Sequence, residues 1–573
     1  MTKTTPKSPA EAYAGLSRML LGDTAEKLGA QQALPDPAEM MKLLTAGFAA
    51  NSGRWLELNN RYYREQLELW QACAGVKPEA EKPAPPQDRR FKAPEWQEPY
   101  FSYLAHSYLL SARWLEEMAT AAPLEPAARN KLAFYTRQLI DALSPANFPW
   151  SNPEAIKLAA ATEGESINRG LKNLAADIDK GLVSMTDESA FEVGRNLAIT
   201  PGAVVYENEF IQLIQYRPLT GTVYERPLVI VPPCINKYYI LDLQPDNSFV
   251  SHALSQGHTV FMVSWRNIPP EMGKATWDDY LQHGVMRALA VAREICGVQK
   301  VNALGFCVGG TLLASALAVL RARGEDPVAS VTLLTTMLDF SDTGELSVFV
   351  DEAYVKTREA EFTEGGVLRG RELALTFASL RANDLIWPYV VNNYLKGNTP
   401  PPFDLLYWNG DSTNLPGTMY AYYVRNTYLE NNLRIPGKLT MCGVPVDLGR
   451  IDMPAYVLAA REDHIVPWRT AYATNGLLGS DTQFVLAASG HIAGVINPPA
   501  RQKRNYWLNA NTGSNAEHWL DTATSQPGSW WPHWTDWLAP QAGLLIPART
   551  GLGSSEFPAG EPAPGRYVKD KCG

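Results

Sequence analysis

The chain has 573 residues, of which 46% are hydrophobic and 19% charged, and its formal net charge is −9. This composition is that of a globular protein and excludes general disorder, while the length predicts two or more domains. An acidic chain gains no attraction to phosphate backbones, so we expect no nucleic-acid partner. We find no secretory signal pattern and no apolar run long enough to span a membrane, so a cytoplasmic protein without a transmembrane segment is predicted.

The N-terminal part of the chain is predicted to be mainly helical. Residues 11–75 carry apolar side chains at helical spacing, most clearly over Met40–Ala74. The proline-rich stretch Lys77–Pro86, KPEAEKPAPP, is predicted to be an extended linker. Helical patterns then resume to about Asp179. We therefore predict a mainly helical domain over residues 1–190.

From Phe191 onward, short runs rich in β-branched and aromatic residues alternate with helical segments. This alternation indicates an α/β domain, built on a parallel sheet that helices cover on both faces, over residues 191–573. The predicted strands are Ala203–Tyr206, Phe210–Tyr216, Leu228–Val231, Thr259–Val263, Val301–Leu304, Val328–Leu334, Ala455–Ala459 and Gln483–Leu486. Between about residues 339 and 450 the alternation stops, and we predict that this stretch is a cap inserted over the sheet.

The strongest chemical signal is a cysteine at a strand-to-helix turn. Val301–Leu304 runs into Gly305-Phe306-Cys307-Val308-Gly309-Gly310 and then into an apolar helix. This is the G-x-S-x-G nucleophile elbow of α/β-hydrolases with cysteine in place of serine. The glycines permit close backbone packing at a tight turn, and the start of the helix favours a thiolate. The sequence therefore predicts that Cys307 is a nucleophile; the alternative is a small buried cysteine ahead of a glycine-rich helix.

The other two members of a catalytic triad should follow late strands, in the order nucleophile, acid, histidine. Asp463 comes after Ala455–Ala459, and His491 comes after Gln483–Leu486. We predict that Asp463 orients the imidazole of His491, which accepts the thiol proton. Asp339 is an alternative acid and His464 an alternative base.

Stabilising an oxyanion requires two backbone donors. The N–H of Val308, directly after the nucleophile, is expected to be one of them. The second should come from the loop after the third strand, Pro232-Pro233-Cys234-Ile235. Because Pro233 has no N–H, Cys234 or Ile235 must serve, and we favour Ile235.

At this point the sequence resembles the polyhydroxyalkanoate synthases, most closely the class I type that polymerises 3-hydroxybutyrate units. The resemblance extends over nearly the whole chain. It is densest in PPCINKYYILDL, GFCVGGT, NDLIWPYVVNNYLKGN, LLYWNGDSTNLPG, REDHIVPW and SGHIAGVINPP. The cysteine elbow, REDHIVPW and SGHIAGVINPP in that order form a specific combination.

The resemblance implies a reaction. Such enzymes take 3-hydroxyacyl-CoA, most often short-chain, release coenzyme A and extend a polyester. By position, Cys307 attacks the thioester, His491 moves the protons, and Asp463 either orients His491 or helps activate the 3-hydroxyl. The resemblance also implies a homodimer associated with polymer granules. No metal or other cofactor is expected, since coenzyme A is part of the substrate and a product.

Two substrate contacts are predicted on weaker grounds. Arg381 is a candidate for the phosphates of coenzyme A, or else a solvated surface residue. Trp408 is a candidate for the lining of the site, or else a core residue. Two other functions stay open. One is a cysteine-dependent esterase or polyester depolymerase that shares the triad. The other is a non-catalytic granule-surface protein.

Overall fold

In the computed structural model, the residues described are 52–74 and 83–572. The predicted helical pattern before residue 52 and most of the predicted linker lie outside this range. The chain divides into two units, Met1–Glu188 with Leu375–Pro402, and Ser189–Ala374 with Phe403–Gly573. The division begins the second unit close to the predicted boundary at residue 190. It differs from the prediction by assigning part of the predicted cap to the first unit.

The described part of the first unit is helical, and its helices begin where prolines fix the backbone. Proline occupies the first turn of three of the five, where a missing N–H costs no helical bond. The helices are α1 Ser52–Cys73, α2 Pro99–Ala121, α3 Pro126–Ala142, α4 Pro153–Ala161 and α5 Glu165–Lys180. Trp55 and Leu58 of α1 pack on Met118 of α2.

Leu375–Pro402 joins the first unit because it packs on α5. Its elements are Ala382–Leu385, Trp387–Tyr389 and the π-helical Val390–Leu395. Tyr394 and Val390 form a small core with Leu174. The Tyr394 hydroxyl donates to Asp177 Oδ2 at 2.6 Å. These contacts join segments that are far apart in sequence, so local periodicity does not predict them.

The second unit is built on a ten-stranded sheet. Its strands in chain order are β1 Gly202–Glu207, β2 Ile211–Tyr216, β3 Leu228–Val231, β4 Val260–Trp265, β5 Val301–Phe306, β6 Val328–Leu334, β7 Ala455–Ala460, β8 Thr482–Ala487, β9 Asn505–Leu508 and β10 Thr524–Pro527. Their spatial order is β1-β2-β4-β3-β5-β6-β7-β8-β9-β10. The six strands from β4 to β8 in this order are parallel, and β1, β2, β9 and β10 add antiparallel edges.

All eight predicted strands are present, with ends within two residues of the prediction. The prediction missed β9, whose residues are partly buried, and β10, whose residues are mostly exposed. It also described as parallel a sheet that has antiparallel edges. The central strands are wholly buried and largely apolar, with Ser264 and Asn302 as buried polar exceptions, as expected for strands covered on both faces.

Helices cover both faces of the sheet. Alternate strand residues face one core that includes α7 Arg287–Cys296 and α8 Val308–Ala322, and another that includes α6 Phe249–Ser255 and α14 Trp531–Leu538. The remaining labelled helices are α9 Glu352–Glu361, α10 Gly370–Leu380, α11 Asp404–Asn409, α12 Gly417–Val424 and α13 His491–Val495. A π-helical segment, Tyr280–Met286, leads into α7, and another, Arg425–Leu429, extends α12.

Shorter elements complete the second unit. The short helices are Trp277–Asp279, Trp468–Tyr472, Thr474–Leu477 and Ala516–Asp521. Three two-stranded ribbons pair Thr222–Tyr224 with Leu545–Pro547, Val367–Leu368 with Leu415–Pro416, and Thr440–Met441 with Val444–Pro445. The segments between β6 and β7 thus include several short helices, as the predicted cap requires.

Candidate active site

Cys307 lies at the turn between β5 and α8, where it caps the helix N-terminus. Its backbone has φ 54° and ψ −129°, a region that residues other than glycine rarely adopt. The Cys307 N–H donates to Leu334 O at 2.9 Å, which ties the turn to the end of β6. The side chain is half-buried. Cys307 therefore has the tight strand-to-helix turn that the sequence motif predicts.

Two glycines allow this turn to close. A Cβ on Gly305 would collide with the Cα of Gly310, on the helix side of the turn. A Cβ on Gly309 would collide with the carbonyl oxygens of Val231 and Pro232, at the end of β3. Only residues without a side chain permit these approaches, so the glycines fix the position of the thiol.

Asp463, in the loop that follows β7, contacts His491, the first residue of α13, which comes shortly after β8. His491 Nδ1 is 2.6 Å from Asp463 Oδ2, and both side chains are buried. The other carboxylate oxygen, Oδ1, accepts the N–H groups of Ile465 at 2.8 Å and Val466 at 2.9 Å. Since β7 and β8 are adjacent and parallel, their carboxyl ends place the two loops side by side.

The electrostatics of His491 connect it to both predicted partners. Burial alone lowers the pKa of His491, but the Asp463 carboxylate and Cys307 raise it to about 10. A side-chain hydrogen bond with Cys307 contributes to this rise. Because Asp463 engages Nδ1, Nε2 is the ring nitrogen available to the thiol. Phe306 stacks on the His491 ring with a centroid separation of 5.7 Å.

The predicted oxyanion donors are Val308, within the elbow, and Ile235, in the loop after β3. Val308 is the first residue of α8, so its N–H has no acceptor within the helix. Ile235 is half-buried, and its carbonyl accepts the Thr413 N–H at 2.7 Å. Its neighbour Cys234 is fully buried; burial raises its pKa to about 12, and Cys307 adds to that rise. The loop after β3 thus lies beside the nucleophile.

Two family profiles and several related proteins match this chain. The sequence profile described as the N-terminus of poly-beta-hydroxybutyrate polymerase (PhaC) matches residues 87–253, and the α/β-hydrolase fold profile matches residues 227–498. The poly(3-hydroxyalkanoate) polymerase subunit PhaC of Cupriavidus necator is 56% identical, covering 90% of this chain and 88% of its own. The corresponding protein of Rhizobium meliloti is 40% identical, with coverages of 93% and 88%.

The chain belongs to the poly(3-hydroxyalkanoate) polymerase family. This confirms the predicted family, the α/β-hydrolase fold and the enzyme class, an acyltransferase. Among solved structures, a hydrolase from Pseudomonas aeruginosa PA01 covers 52% of this chain and 95% of its own, at 17% identity and a TM-score of 0.32. That likeness is too low to add to the assignment.

In this member of the polymerase family, the alternative acid and base have other surroundings. Asp339 Oδ2 accepts from Arg434 Nη1 at 2.9 Å, and its Oδ1 accepts from Asn431 at 2.8 Å. These partners offset the effect of burial and lower the pKa of Asp339. His464 adjoins Asp463, but the ring that bonds to this carboxylate is that of His491.

Cap residues that the sequence analysis did not single out lie near the thiol. Burial raises the pKa of Tyr428, and Cys307 and Asp463 contribute to that rise. Burial also raises the pKa of Tyr423, and Cys307 contributes to that rise. The Tyr423 and Tyr428 rings meet edge to face at 5.7 Å, and Phe340 packs against Tyr428 at 5.1 Å. The aromatic-rich sequence of α12 was the available signal, but its periodicity does not distinguish core from site.

The two predicted substrate contacts have structural surroundings. Arg381 belongs to the first unit, is half-exposed and forms an ion pair with Asp384. Trp408 is buried in the core of the second unit, and its indole N–H donates to Lys237 O at 2.6 Å. Trp408 therefore has the surroundings of a core residue, which is one of the two roles considered for it above.

Within 52–74 and 83–572, no group of three or more His, Cys, Asp and Glu side chains is arranged to hold a metal ion. In the same ranges, every helix is too short or too polar to cross a membrane.

Proposed function

We propose that the chain polymerises 3-hydroxyacyl-CoA, with short-chain 3-hydroxybutyryl-CoA as the preferred substrate, through an acyl group held covalently on Cys307. The observation that carries the proposal is the 2.6 Å contact of His491 with Asp463 beside a cysteine elbow, in a chain of the polymerase family. The names of the relatives support the polyester product, and the resemblance supports a granule-associated homodimer.

In the first half-reaction, His491 Nε2 accepts the proton of the Cys307 thiol, and the sulfur attacks the thioester carbonyl carbon. The N–H groups of Val308 and Ile235 would stabilise the oxyanion. Collapse of the intermediate breaks the bond to coenzyme A, whose sulfur takes the proton back from His491. One thioester replaces another, so the step is nearly balanced in free energy.

In the second half-reaction, a 3-hydroxyl attacks the acyl group on Cys307. His491 accepts the hydroxyl proton and returns it to the Cys307 sulfur as the ester forms. The polyester is then one unit longer. No step requires a metal or another cofactor. The aromatic cluster of Phe340, Tyr423 and Tyr428 would keep water from competing for the acyl group.

The contacts of Asp463 favour one of its two possible roles. One carboxylate oxygen accepts two backbone N–H groups and the other bonds to His491, and the side chain has no exposed surface. A substrate hydroxyl has no access to the carboxylate unless it displaces His491. We therefore propose that Asp463 orients His491 and stabilises its charged form, rather than activating the hydroxyl directly.

The test is to incubate the purified chain with 3-hydroxybutyryl-CoA and with a medium-chain 3-hydroxyacyl-CoA, and to measure coenzyme A release and the product. We expect insoluble polyester from the short-chain substrate. Free 3-hydroxybutyrate in equal amount to coenzyme A would instead identify a hydrolase, and no release from either substrate would favour a non-catalytic protein. Cys307→Ala should lower turnover by roughly 10⁴-fold or more while the chain stays folded. Full activity of that variant would mean that another group is the nucleophile.

A further inference from the structure

The loop that carries Ile235 is held by contacts from a segment far along the chain. On one side of the Ile235 donor peptide, Asn236 forms an antiparallel β-bridge with Ser412, and Thr413 N–H donates to Ile235 O at 2.7 Å. Two residues on, Lys237 O accepts the Trp408 indole N–H at 2.6 Å. Residues 408–413, here called the clamp segment, therefore fix the backbone of the oxyanion loop, residues 232–241.

A second segment, residues 567–571, holds the same loop through its backbone carbonyls, which accept from the side chain of Lys237. Lys237 is buried, and its ammonium donates to Asp570 O at 2.7 Å and Tyr567 O at 3.4 Å. Asn267 joins this segment to Asn414, the residue directly after the clamp segment, because it donates to Lys571 O at 3.2 Å and accepts the Asn414 N–H at 2.9 Å.

One ion pair connects all three segments. Asp411, in the clamp segment, has a side chain that is only 2% exposed, and its Oδ2 is 2.7 Å from the ammonium of Lys571. The same oxygen accepts the hydroxyl of Tyr239, in the oxyanion loop, at 2.8 Å. Lys571 also lies over the Tyr407 ring at 5.0 Å. A buried carboxylate is costly without a cation in contact, and Lys571 supplies that contact.

We propose that Lys571, through Asp411, is a positioning residue for the oxyanion hole: the ion pair holds the loop so that the Ile235 N–H is aligned with the developing negative charge. The inference rests on the proposed function only in assigning an oxyanion donor to Ile235. Lys571 touches no reacting atom. Its loss should loosen the donor while leaving the elbow, which is built by its own glycines and by β6, in place.

The distinguishing property of an oxyanion hole is that it accelerates attack on a carbonyl and not other reactions of the same thiol. Alkylation of Cys307 by iodoacetamide displaces iodide at a saturated carbon and forms no oxyanion. Acylation by 3-hydroxybutyryl-CoA or by p-nitrophenyl acetate passes through one. A general structural defect would slow both reactions, whereas a displaced donor would slow acylation alone.

The experiment uses the full chain with Lys571→Met, Lys571→Arg and the control Lys569→Met, an exposed lysine two residues earlier in the same segment. The first-turnover burst of coenzyme A or p-nitrophenol measures acylation, and intact mass measures alkylation. For Lys571→Met we expect acylation to slow about 10-fold, part of the roughly 10²–10³-fold effect of deleting a donor. Alkylation and KM should change little. The unfolding midpoint should fall somewhat, because the buried Asp411 carboxylate loses its cation, and solvent screening of the half-exposed Lys571 limits that fall. Lys571→Arg should restore acylation, and Lys569→Met should match the parent.

Equal slowing of both reactions, no slowing, or failure of arginine to restore the rate would overturn the inference. If Lys571→Met does not fold, Asp411→Asn removes the same charge contact with nearly the same shape, and the same comparison applies. A parent that reacts with p-nitrophenyl acetate but not with 3-hydroxyacyl-CoA would contradict the proposed function and still test this inference.

Discussion

The nucleophile elbow and the oxyanion loop serve one reaction but are held in place by different means. The elbow is shaped within Gly305–Gly310, where missing side chains let a strand, a turn and a helix pack closely. The oxyanion loop contains no such device. Its position depends on Asp411, 172 residues from Tyr239, and on Asp570, 333 residues from Lys237.

This difference matters for how each part responds to change. The elbow is a steric construction, so added atoms should damage it and changes in charge should not. The loop is a polar construction in which buried groups depend on partners, so loss of one partner should loosen it without a clash. The triad combines the two, since Cys307 comes from the elbow whereas Asp463 and His491 meet across neighbouring strands.

The largest decrease in kcat should come from a change to Asp463, the triad residue that holds His491. In Asp463→Asn, the amide cannot stabilise a charged imidazole, so the pKa of His491 should fall and kcat should drop about 10⁴-fold. Turnover with 3-hydroxybutyryl-CoA and an NMR titration of His491 measure the two changes. Asp339→Asn is the matched control, because Asp339 bonds to Arg434 and Asn431 instead. A greater loss of kcat in Asp339→Asn would assign the acid to Asp339.

The next largest decrease in kcat should come from a change at the contact between the nucleophile elbow and the oxyanion loop. A Cβ on Gly309 would collide with the carbonyl oxygens of Val231 and Pro232, where β3 passes into the oxyanion loop, so Gly309→Ala must push the elbow and the loop apart. We expect a loss of about 1–3 kcal/mol in the free energy of unfolding and a decrease of about 10²-fold in kcat.

The control for that substitution is Gly476→Ala, a glycine in the helix Thr474–Leu477 whose added Cβ would meet nothing within 4 Å. It should leave kcat unchanged and leave stability equal or slightly higher. Parental kcat in Gly309→Ala would show that the backbone can shift without moving the thiol, and that the steric account of the elbow is wrong.

The same contrast explains what the sequence could predict. The central strands and the elbow were predictable because buried apolar runs and the G-x-C-x-G spacing are local signals, and Asp463 and His491 follow directly from two such strands. Strands β9 and β10 were not predicted because each has only four residues and no alternating burial: β9 is partly buried throughout, and β10 is polar and mostly exposed. The packing of Leu375–Pro402 on α5 and the Asp411–Lys571 pair depend on residues far apart in sequence. Neither contact produces a pattern in the local sequence.

The smallest effect on activity should come from a buried group outside both constructions. His258 has no exposed surface, and neither of its ring nitrogens has a hydrogen-bond partner among the described residues. It stacks on Tyr224 at 4.9 Å and lies 6.2 Å from the Trp534 ring. Burial, with a smaller contribution from His252, lowers the pKa of His258 to about 4. The folded chain therefore holds this ring neutral where the unfolded chain would protonate it.

The pKa of His258 in the folded chain lies below its unfolded value of about 6.5. The stability that depends on His258 being neutral is therefore fully present above pH ~6.5. It is lost as the pH falls toward 4, by roughly 3 kcal/mol in all. His258→Phe keeps the stacking and removes the titration. Urea unfolding at several pH values between 4 and 7.5 should therefore show a smaller loss of stability on acidification than in the parent, with kcat unchanged. The exposed His518→Phe serves as the control and should retain the parental pH dependence. If His258→Phe lost stability on acidification as steeply as the parent, the acid sensitivity of this unit would come from groups other than His258.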